Sequence, residues 1–151
     1  MYNYLGWLEK AFVIYRCQRY DMQGKSILKT QEKFYLADAS LKYCIMGFNP
    51  KSVAAMLENI VYFELRRKGY NVYIGKNAAK EIDFVAVRRD ERIYVQVCRN
   101  LPEESDREVA NLLEINDHYP KYVVTLDELA GGNINGVRIV HLADFLLSEE
   151  Y

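Results

Sequence analysis

The sequence predicts an α/β fold in which a mixed sheet is flanked by helices. From residue 52 onward, helical stretches alternate with short segments rich in β-branched and aromatic residues, in the order α-β-β-β-α-β and then β-α. Strands that alternate with helical stretches are typical of a sheet covered by helices. The composition is that of a globular chain, because 50% of its 151 residues are hydrophobic and 27% are charged.

The first 48 residues predict a partial winged-helix segment, made of a helix and a hairpin. Residues 2–16 have helical spacing and lead into a strand over 11–15; the spaced residues are Tyr4, Leu5, Leu8, Phe12 and Val13. Gly24 marks a polar turn, and predicted strands over 26–29 and 33–37 flank a further polar break. Asp38 is predicted to cap a short helix that ends at Tyr43.

Residues 49–151 form the second predicted part, which follows a loop over 47–50. A helix is predicted from Ser52 to Gly69 by apolar residues at i, i+3, i+4 and i+7 spacing, namely Val53, Met56, Leu57, Ile60, Val61 and Leu65. Three cations over 66–68 suit the negative end of the helix dipole, and Gly69 suits the cap.

The remaining elements follow from runs of β-branched residues and from apolar spacing. A helix is predicted over 101–118, with Pro102 near its start, and a final short helix over 142–147. Residues 131–136 are predicted to be a loop because they are rich in glycine and asparagine. Strands are predicted over 70–74, 81–87, 93–98, 122–126 and 137–141.

Two neighbouring predicted strands carry the main chemical signal. Asp83 lies in one strand, and Gln96 and Cys98 lie in the next. This is the layout of metal-dependent nucleases of the PD-(D/E)-x-K type, but here Gln96 stands in place of the glutamate and Cys98 in place of the lysine. A glutamine offers a weaker metal ligand than a carboxylate, and a cysteine brings no cation to stabilise developing negative charge. The sequence therefore predicts a degenerate catalytic site made of Glu58, Asp83 and Gln96.

Two other interpretations of these residues stay open. Acids at the start of a strand are commonly solvated, whereas the amide of Gln96 between two valines must find hydrogen-bond partners. Alternatively the site is active and binds Mg²⁺ through Asp83 and Glu58, with Glu81 as a further ligand and Lys80 as a displaced cation. We expect no cofactor, with Mg²⁺ as the possible exception.

Basic residues form a candidate nucleic-acid contact. The net charge of the chain is −1, so no overall field attracts a polyanion and a local patch is required. The candidates lie at the end of the long helix and around the next hairpin: Arg66, Arg67, Lys68, Arg88, Arg89 and Arg92. A solvated helix end and a solvated hairpin would explain the same residues.

Several classes of protein are excluded or disfavoured. The chain has no G-x-x-x-x-G-K-[ST] loop and no G-x-S-x-G motif. Its three cysteines are widely spaced, which disfavours a zinc site and favours a reducing compartment. No apolar run reaches about 18 residues, so we expect no membrane partner and a cytoplasmic location.

The chain also resembles a known family over residues 4–147. It is similar to the C-terminal region of bacterial and archaeal AAA-type ATPases, which is known as domain of unknown function 4143. The most distinctive shared stretches are Leu57-Glu58-Asn59 and Glu81-Ile82-Asp83-Phe84, and others are Tyr94-Val95-Gln96-Val97 and Tyr119-Pro120-Lys121.

The resemblance implies a fold, a partner and a function. Relatives of this kind carry an ATPase module, then a winged helix, then a restriction-endonuclease-like domain; this chain lacks the ATPase module and begins within the winged helix. The implied function is that of an accessory module of an AAA-type ATPase, which binds DNA or protein and does not cleave. A Mg²⁺-dependent DNA endonuclease and a dimerisation module, hence a homo-oligomer, stay open as alternatives.

Overall fold

In the computed structural model, residues 2–101 and 107–151 are described, and they form a mixed α/β fold as predicted. The elements are α1 (Tyr2–Lys10), β1 (Ile14–Asp21), β2 (Ser26–Leu36), α2 (Ala39–Met46), a 3₁₀ turn (Pro50–Ser52), α3 (Val53–Arg67), β3 (Asn71–Asn77), β4 (Lys80–Arg88), β5 (Glu91–Cys98), α4 (Arg107–Leu113), β6 (Lys121–Thr125), β7 (Gly132–Ile134), β8 (Val137–His141) and α5 (Leu142–Leu147). Within the described residues the strands form one eight-stranded sheet in the order β2-β1-β3-β4-β5-β6-β8-β7.

The N-terminal helix and hairpin differ in detail from the prediction. α1 ends at Lys10 and not at residue 16, and Phe12 then adopts a positive φ of 57° before β1 begins. β2 is one continuous strand. Its pairing with β1 jumps from Cys17–Lys33 to Arg19–Leu28, so that the predicted polar break is a bulge within the strand.

The hairpin of β1 and β2 belongs to the same sheet as the rest of the chain. Arg19, Tyr20 and Asp21 of β1 pair in parallel with residues 74–76 of β3. The predicted winged-helix segment is therefore not set apart by a separate sheet, and the boundary between residues 48 and 49 stays a prediction.

The central elements follow the predicted order, because α3, β3, β4, β5, α4 and β6 succeed one another along the chain. β3, β4 and β5 form an antiparallel meander, and β6 runs parallel to β5. The prediction of a loop over 131–136 was wrong in part, because β7 lies within it. β7 and β8 are joined by a tight turn in which Asn135 and Gly136 have positive φ values of 51° and 95°, as a two-residue hairpin turn requires.

The helix predicted over 101–118 ends earlier than expected. Its last helical residue is Leu113, although the buried Ile115 continues the apolar spacing. The predicted start near Pro102 lies outside the described residues. Among the described residues, no helix combines the length and the apolar character needed to cross a bilayer.

Each face of the sheet has its own apolar core. On one face α3 covers the sheet, with Leu57, Val61 and Leu65 packed in a core that includes Phe84 and Val95. On the other face Val109 and Leu112 of α4 pack in a core that includes Ile82, Val85, Tyr94 and Val123. These two surfaces are called the α3 face and the α4 face below.

A bulge in β4 interrupts the strict alternation of side chains next to Asp83. The β3–β4 pairing shifts between Tyr73–Val85 and Gly75–Ile82, which gives β4 one extra residue. Ile82 and Val85 consequently share the α4 face. A Cβ at residue 75 would lie only 2.8 Å from Val85 Cγ2 and 2.9 Å from Ile82 Cβ, so that the close approach requires Gly75.

Candidate functional site

Asp83 and Gln96 are in contact where the backbone pairing of β4 and β5 stops. The ladder ends at Phe84–Val95, and side chains continue the connection from there. Asp83 Oδ2 accepts a hydrogen bond from the backbone N–H of Val97 over 2.8 Å, and Gln96 Oε1 accepts one from the backbone N–H of Asp83 over 3.2 Å. Both side chains are buried. The pair therefore works as a link between two diverging strands.

Gln96 and Glu58 belong to different faces of the sheet. Gln96 lies between Val95 and Val97, which pack on the α3 face, so strand alternation directs it to the α4 face. Glu58 comes from α3 on the opposite side. The structure thus joins Asp83 to Gln96, but it does not bring Glu58 and Gln96 together in one cluster below α3.

Glu58 instead belongs to an acid–base group that we call the Lys33 cluster, composed of Arg19, Lys33, Tyr35, Glu58 and Glu81. Lys33 Nζ lies 2.7 Å from Glu81 Oε1 and 3.4 Å from Glu58 Oε2. Arg19 Nη1 lies 2.6 Å from Glu81 Oε2, and the Tyr35 hydroxyl donates to Glu58 Oε2 over 3.4 Å. Two cations and two carboxylates thus neutralise one another at the edge of the sheet.

The charges of the Lys33 cluster change the pKa values of its members. Burial alone lowers the pKa of the Lys33 ammonium, but the hydrogen bond to Glu81 and the charges of Glu58, Glu81 and Asp83 outweigh it and raise the pKa. Burial raises the pKa of Glu81, but the hydrogen bonds from Lys33 and Arg19 outweigh it and lower the pKa. Burial, followed by the charge of Glu58, raises the pKa of Tyr35. The cluster is therefore ionised and salt-bridged at neutral pH.

The carboxylates do not converge as metal ligands in the part of the chain that is described. No three His, Cys, Asp or Glu side chains lie close enough together there to hold a metal ion. Lys80, the predicted displaced cation, pairs with Glu114 and is not part of the Lys33 cluster. The cation beside Glu58 and Glu81 is Lys33, which sequence analysis missed because it lies far from both acids along the chain.

The Leu57-Glu58-Asn59 motif has a structural explanation. Leu57 packs in the core of the α3 face, and Glu58 contacts Lys33 and Tyr35. Asn59 Oδ1 accepts from the backbone N–H of Leu36, and Asn59 Nδ2 donates to the carbonyl of Leu36, both over 2.9 Å. The motif therefore fastens α3 to β2, beside a cleft of about 360 Å³ between these elements and α2.

The basic residues at the end of α3 have intramolecular partners. Arg67 forms two hydrogen bonds with the carboxylate of Glu64, over 2.8 and 2.7 Å. The guanidinium of Arg66 lies over the ring of Tyr15. The side chain of Lys68 is only 8% exposed, and its ammonium lies 4.1 Å from the ring centroid of Tyr151. These contacts reduce the charge that this helix end offers to a phosphate.

The other predicted basic residues do not extend the same patch. Arg88 pairs with Glu91 and donates to the carbonyl of Lys68, and Arg89 is exposed in the turn that follows. This turn lies five residues along β4 from Asp83, roughly 17 Å at the rise of a strand. Arg92 alternates with Ile93, which packs on the α3 face, and therefore lies on the α4 face. The six predicted residues thus divide between two regions, both distinct from the Asp83–Gln96 pair.

Comparisons with known proteins identify relatives without assigning an activity. Residues 1–52 match the family described as a domain of unknown function, DUF8612. The chain is similar to an uncharacterized protein of Haemophilus influenzae, with 42% identity over 96% of this chain, and to an uncharacterized protein of Methanocaldococcus jannaschii, with 30% identity over 72% of this chain. No solved structure matches. The chain spans 36% and 25% of the length of these two relatives, respectively.

Proposed function

We propose that this chain is a non-catalytic module of nuclease-like topology, which serves a partner ATPase and binds nucleic acid or protein. The order α3-β3-β4-β5-α4-β6, with an antiparallel meander followed by a parallel strand, supports the restriction-endonuclease-like part of this proposal. It is the order that the sequence resemblance implies.

One contact carries the non-catalytic part of the proposal. Gln96 stands where an active nuclease of this layout would have a glutamate, and its side-chain carbonyl accepts a hydrogen bond from the backbone of Asp83. The carboxylate of Asp83 in turn accepts from the backbone of Val97. These acceptors hold two strands together, which is a structural use of atoms that an active site would direct at a metal ion.

The role beside an ATPase is supported by the resemblance and by the size of the relatives. The Haemophilus influenzae protein aligns with this chain over 36% of its length, so most of that protein lies outside the aligned region. We place the ATPase module in that remainder, and both proteins in the cytoplasm.

A cleavage assay tests the non-catalytic proposal. Supercoiled plasmid is incubated with the protein and Mg²⁺ or Mn²⁺, with an Asp83→Asn variant and an EDTA-treated sample as controls. We expect wild type and variant to leave the plasmid intact. Metal-dependent nicking by the wild type that disappears in Asp83→Asn would instead establish the endonuclease alternative.

Two further measurements address the partner and the assembly. The full-length Haemophilus influenzae relative is expected to hydrolyse ATP; a protein that neither binds nor hydrolyses ATP would contradict the ATPase part of the proposal. Sedimentation of the present chain is expected to show a monomer. A tight dimer that binds neither nucleic acid nor the ATPase would favour the dimerisation alternative.

A further inference from the structure

The α4 face carries a group of aromatic side chains beside its core. α4 contacts β4, β5, β6 and β8. Over β1 and β3 the same face presents half-buried tyrosines, with the ring centroids of Tyr20 and Tyr73 6.1 Å apart. Gly75 pairs with Tyr20 across the strands and leaves room above the sheet because it has no side chain.

Arg92 lies between two of the aromatic rings on this face. Its Cζ atom is 5.4 Å from the ring centroid of Tyr20 and 5.5 Å from that of Tyr119. A guanidinium over an aromatic ring is held by cation–π attraction. Burial by itself lowers the pKa of Arg92, but hydrogen bonds with Tyr94 and Tyr20 raise it overall. The side chain is therefore a fixed positive charge in an aromatic setting.

These side chains line a cleft of about 500 Å³, which also includes Lys25 and Asn77 at the ends of neighbouring strands. This volume is in the range of small-molecule binding sites, about 300–1,000 Å³. A guanidinium carries five N–H donors in a planar fork that suits phosphate oxygens, more than the two tyrosine hydroxyls can satisfy. The cleft thus combines ring faces with phosphate-binding donors.

The charge of this cleft favours an anion. Its two acids are each paired with a lysine: Glu114 with Lys80, and Asp117 with Lys121 over 3.3 Å. Asp117 also accepts a hydrogen bond from the Tyr94 hydroxyl over 2.5 Å. Neither Lys25 nor Arg92 forms an ion pair within residues 2–101 and 107–151. Two positive charges consequently remain for a ligand.

From this combination we infer that the cleft between Tyr20, Arg92 and Tyr119 binds single-stranded nucleic acid, with a base stacked on the rings and its phosphate held by Arg92 and Lys25. Aromatic rings beside cations are the means by which proteins bind single strands without strong sequence preference. A duplex keeps its base faces stacked inside the helix and could use only the cations. The inference rests on the proposed nucleic-acid-binding function and places it on the α4 face, away from the end of α3.

Fluorescence anisotropy with labelled oligodeoxythymidylate and oligouridylate of about a dozen nucleotides tests this inference. We expect the wild type to bind, with affinity that falls as salt concentration rises. Tyr119→Leu and Arg92→Met are each expected to weaken binding about 10-fold, since stacking on one ring contributes that much or more. Lys25→Gln, a substitution at an exposed turn residue, is expected to weaken binding about 3-fold. Circular dichroism confirms that each variant is folded.

Arg89→Met is the matched control, because it removes an exposed arginine at the β4–β5 turn and leaves the cleft unchanged. Its affinity should equal that of the wild type. The inference is overturned if Tyr119→Leu and Lys25→Gln bind as the wild type does, or if Arg89→Met weakens binding equally. Binding of duplex DNA alone would overturn it and leave the proposed function standing, whereas no binding of any nucleic acid would overturn it and confine the proposed function to a protein partner.

Discussion

The side-chain carbonyl of Gln96 accepts a hydrogen bond from the backbone N–H of Asp83 over 3.2 Å. Asp83 completes the connection through Val97, one residue further along β5, whose N–H it accepts over 2.8 Å. The two hydrogen bonds replace the backbone ladder where β4 and β5 separate, and both polar side chains are thereby satisfied inside the protein. This arrangement predicts that both residues matter for stability.

Asp83→Ala is expected to lower the free energy of unfolding by about 1–3 kcal/mol, because it leaves the N–H of Val97 buried without its acceptor. Asp83→Asn is the matched control, since its side-chain oxygen can still accept that hydrogen bond. Urea unfolding measures both variants. Equal stability of Asp83→Ala and the wild type would show that the carboxylate is not a structural acceptor.

Gln96→Glu is expected to destabilise the protein at neutral pH by about 1–3 kcal/mol. The new carboxylate would lie beside that of Asp83 in a buried position, and the repulsion between the two charges raises their pKa values. The loss should therefore diminish as the pH falls and one carboxyl group becomes protonated. Thermal unfolding at several pH values measures this; a loss that grows toward acid pH would be inconsistent with repulsion.

Glu81 is expected to make stability depend on pH in the acid range. Its folded-state pKa lies below the ordinary value of 4.5 because the hydrogen bonds from Lys33 and Arg19 outweigh the effect of burial. A lowered pKa means that the contribution is complete above pH 4.5 and is lost as the pH falls through the folded-state value.

The difference in unfolding free energy between the wild type and Glu81→Gln should accordingly shrink on acidification. Chemical unfolding over a series of pH values gives this difference directly. Lys80→Met is a suitable control, because Lys80 pairs with Glu114 outside the Lys33 cluster. A difference between wild type and Glu81→Gln that stays constant with pH would contradict the salt bridges to Lys33 and Arg19.

Asn59→Ala is expected to release the end of β2 from α3. It removes both hydrogen bonds to the backbone of Leu36, at a cost of about 1–2 kcal/mol. Hydrogen exchange at the Leu36 amide should accelerate, while exchange at the Val95 amide in the sheet centre changes less. Unchanged protection of Leu36 would mean that the asparagine does not hold this strand.

The sequence predicted the elements whose signals are local. α3 was predicted to within two residues at its C-terminus, because its apolar spacing is regular and Gly69, with φ of 84°, ends it. β4 and β5 were also located to within two residues at each end. β7 was missed, although Asn135-Gly136 is a recognisable hairpin turn, because only three residues precede it in the strand.

The composition of the site could be predicted only in part for a physical reason. Asp83 and Gln96 lie on strands joined by a short turn, so their proximity follows from local pairing. Lys33 reaches Glu58 and Glu81 only because β1 pairs in parallel with β3, a contact between distant parts of the chain. Sequence spacing carries no signal for such a pairing, and Lys80 was therefore chosen in its place.

The most direct test of the structural role of Asp83 and Gln96 is calorimetric titration of Mn²⁺ into the folded protein. The proposed use of both side chains as strand-linking acceptors predicts no saturable binding, and equal traces for the wild type and Asp83→Asn. Saturable binding by the wild type that is abolished in Asp83→Asn would contradict the account and restore Asp83 as a metal ligand.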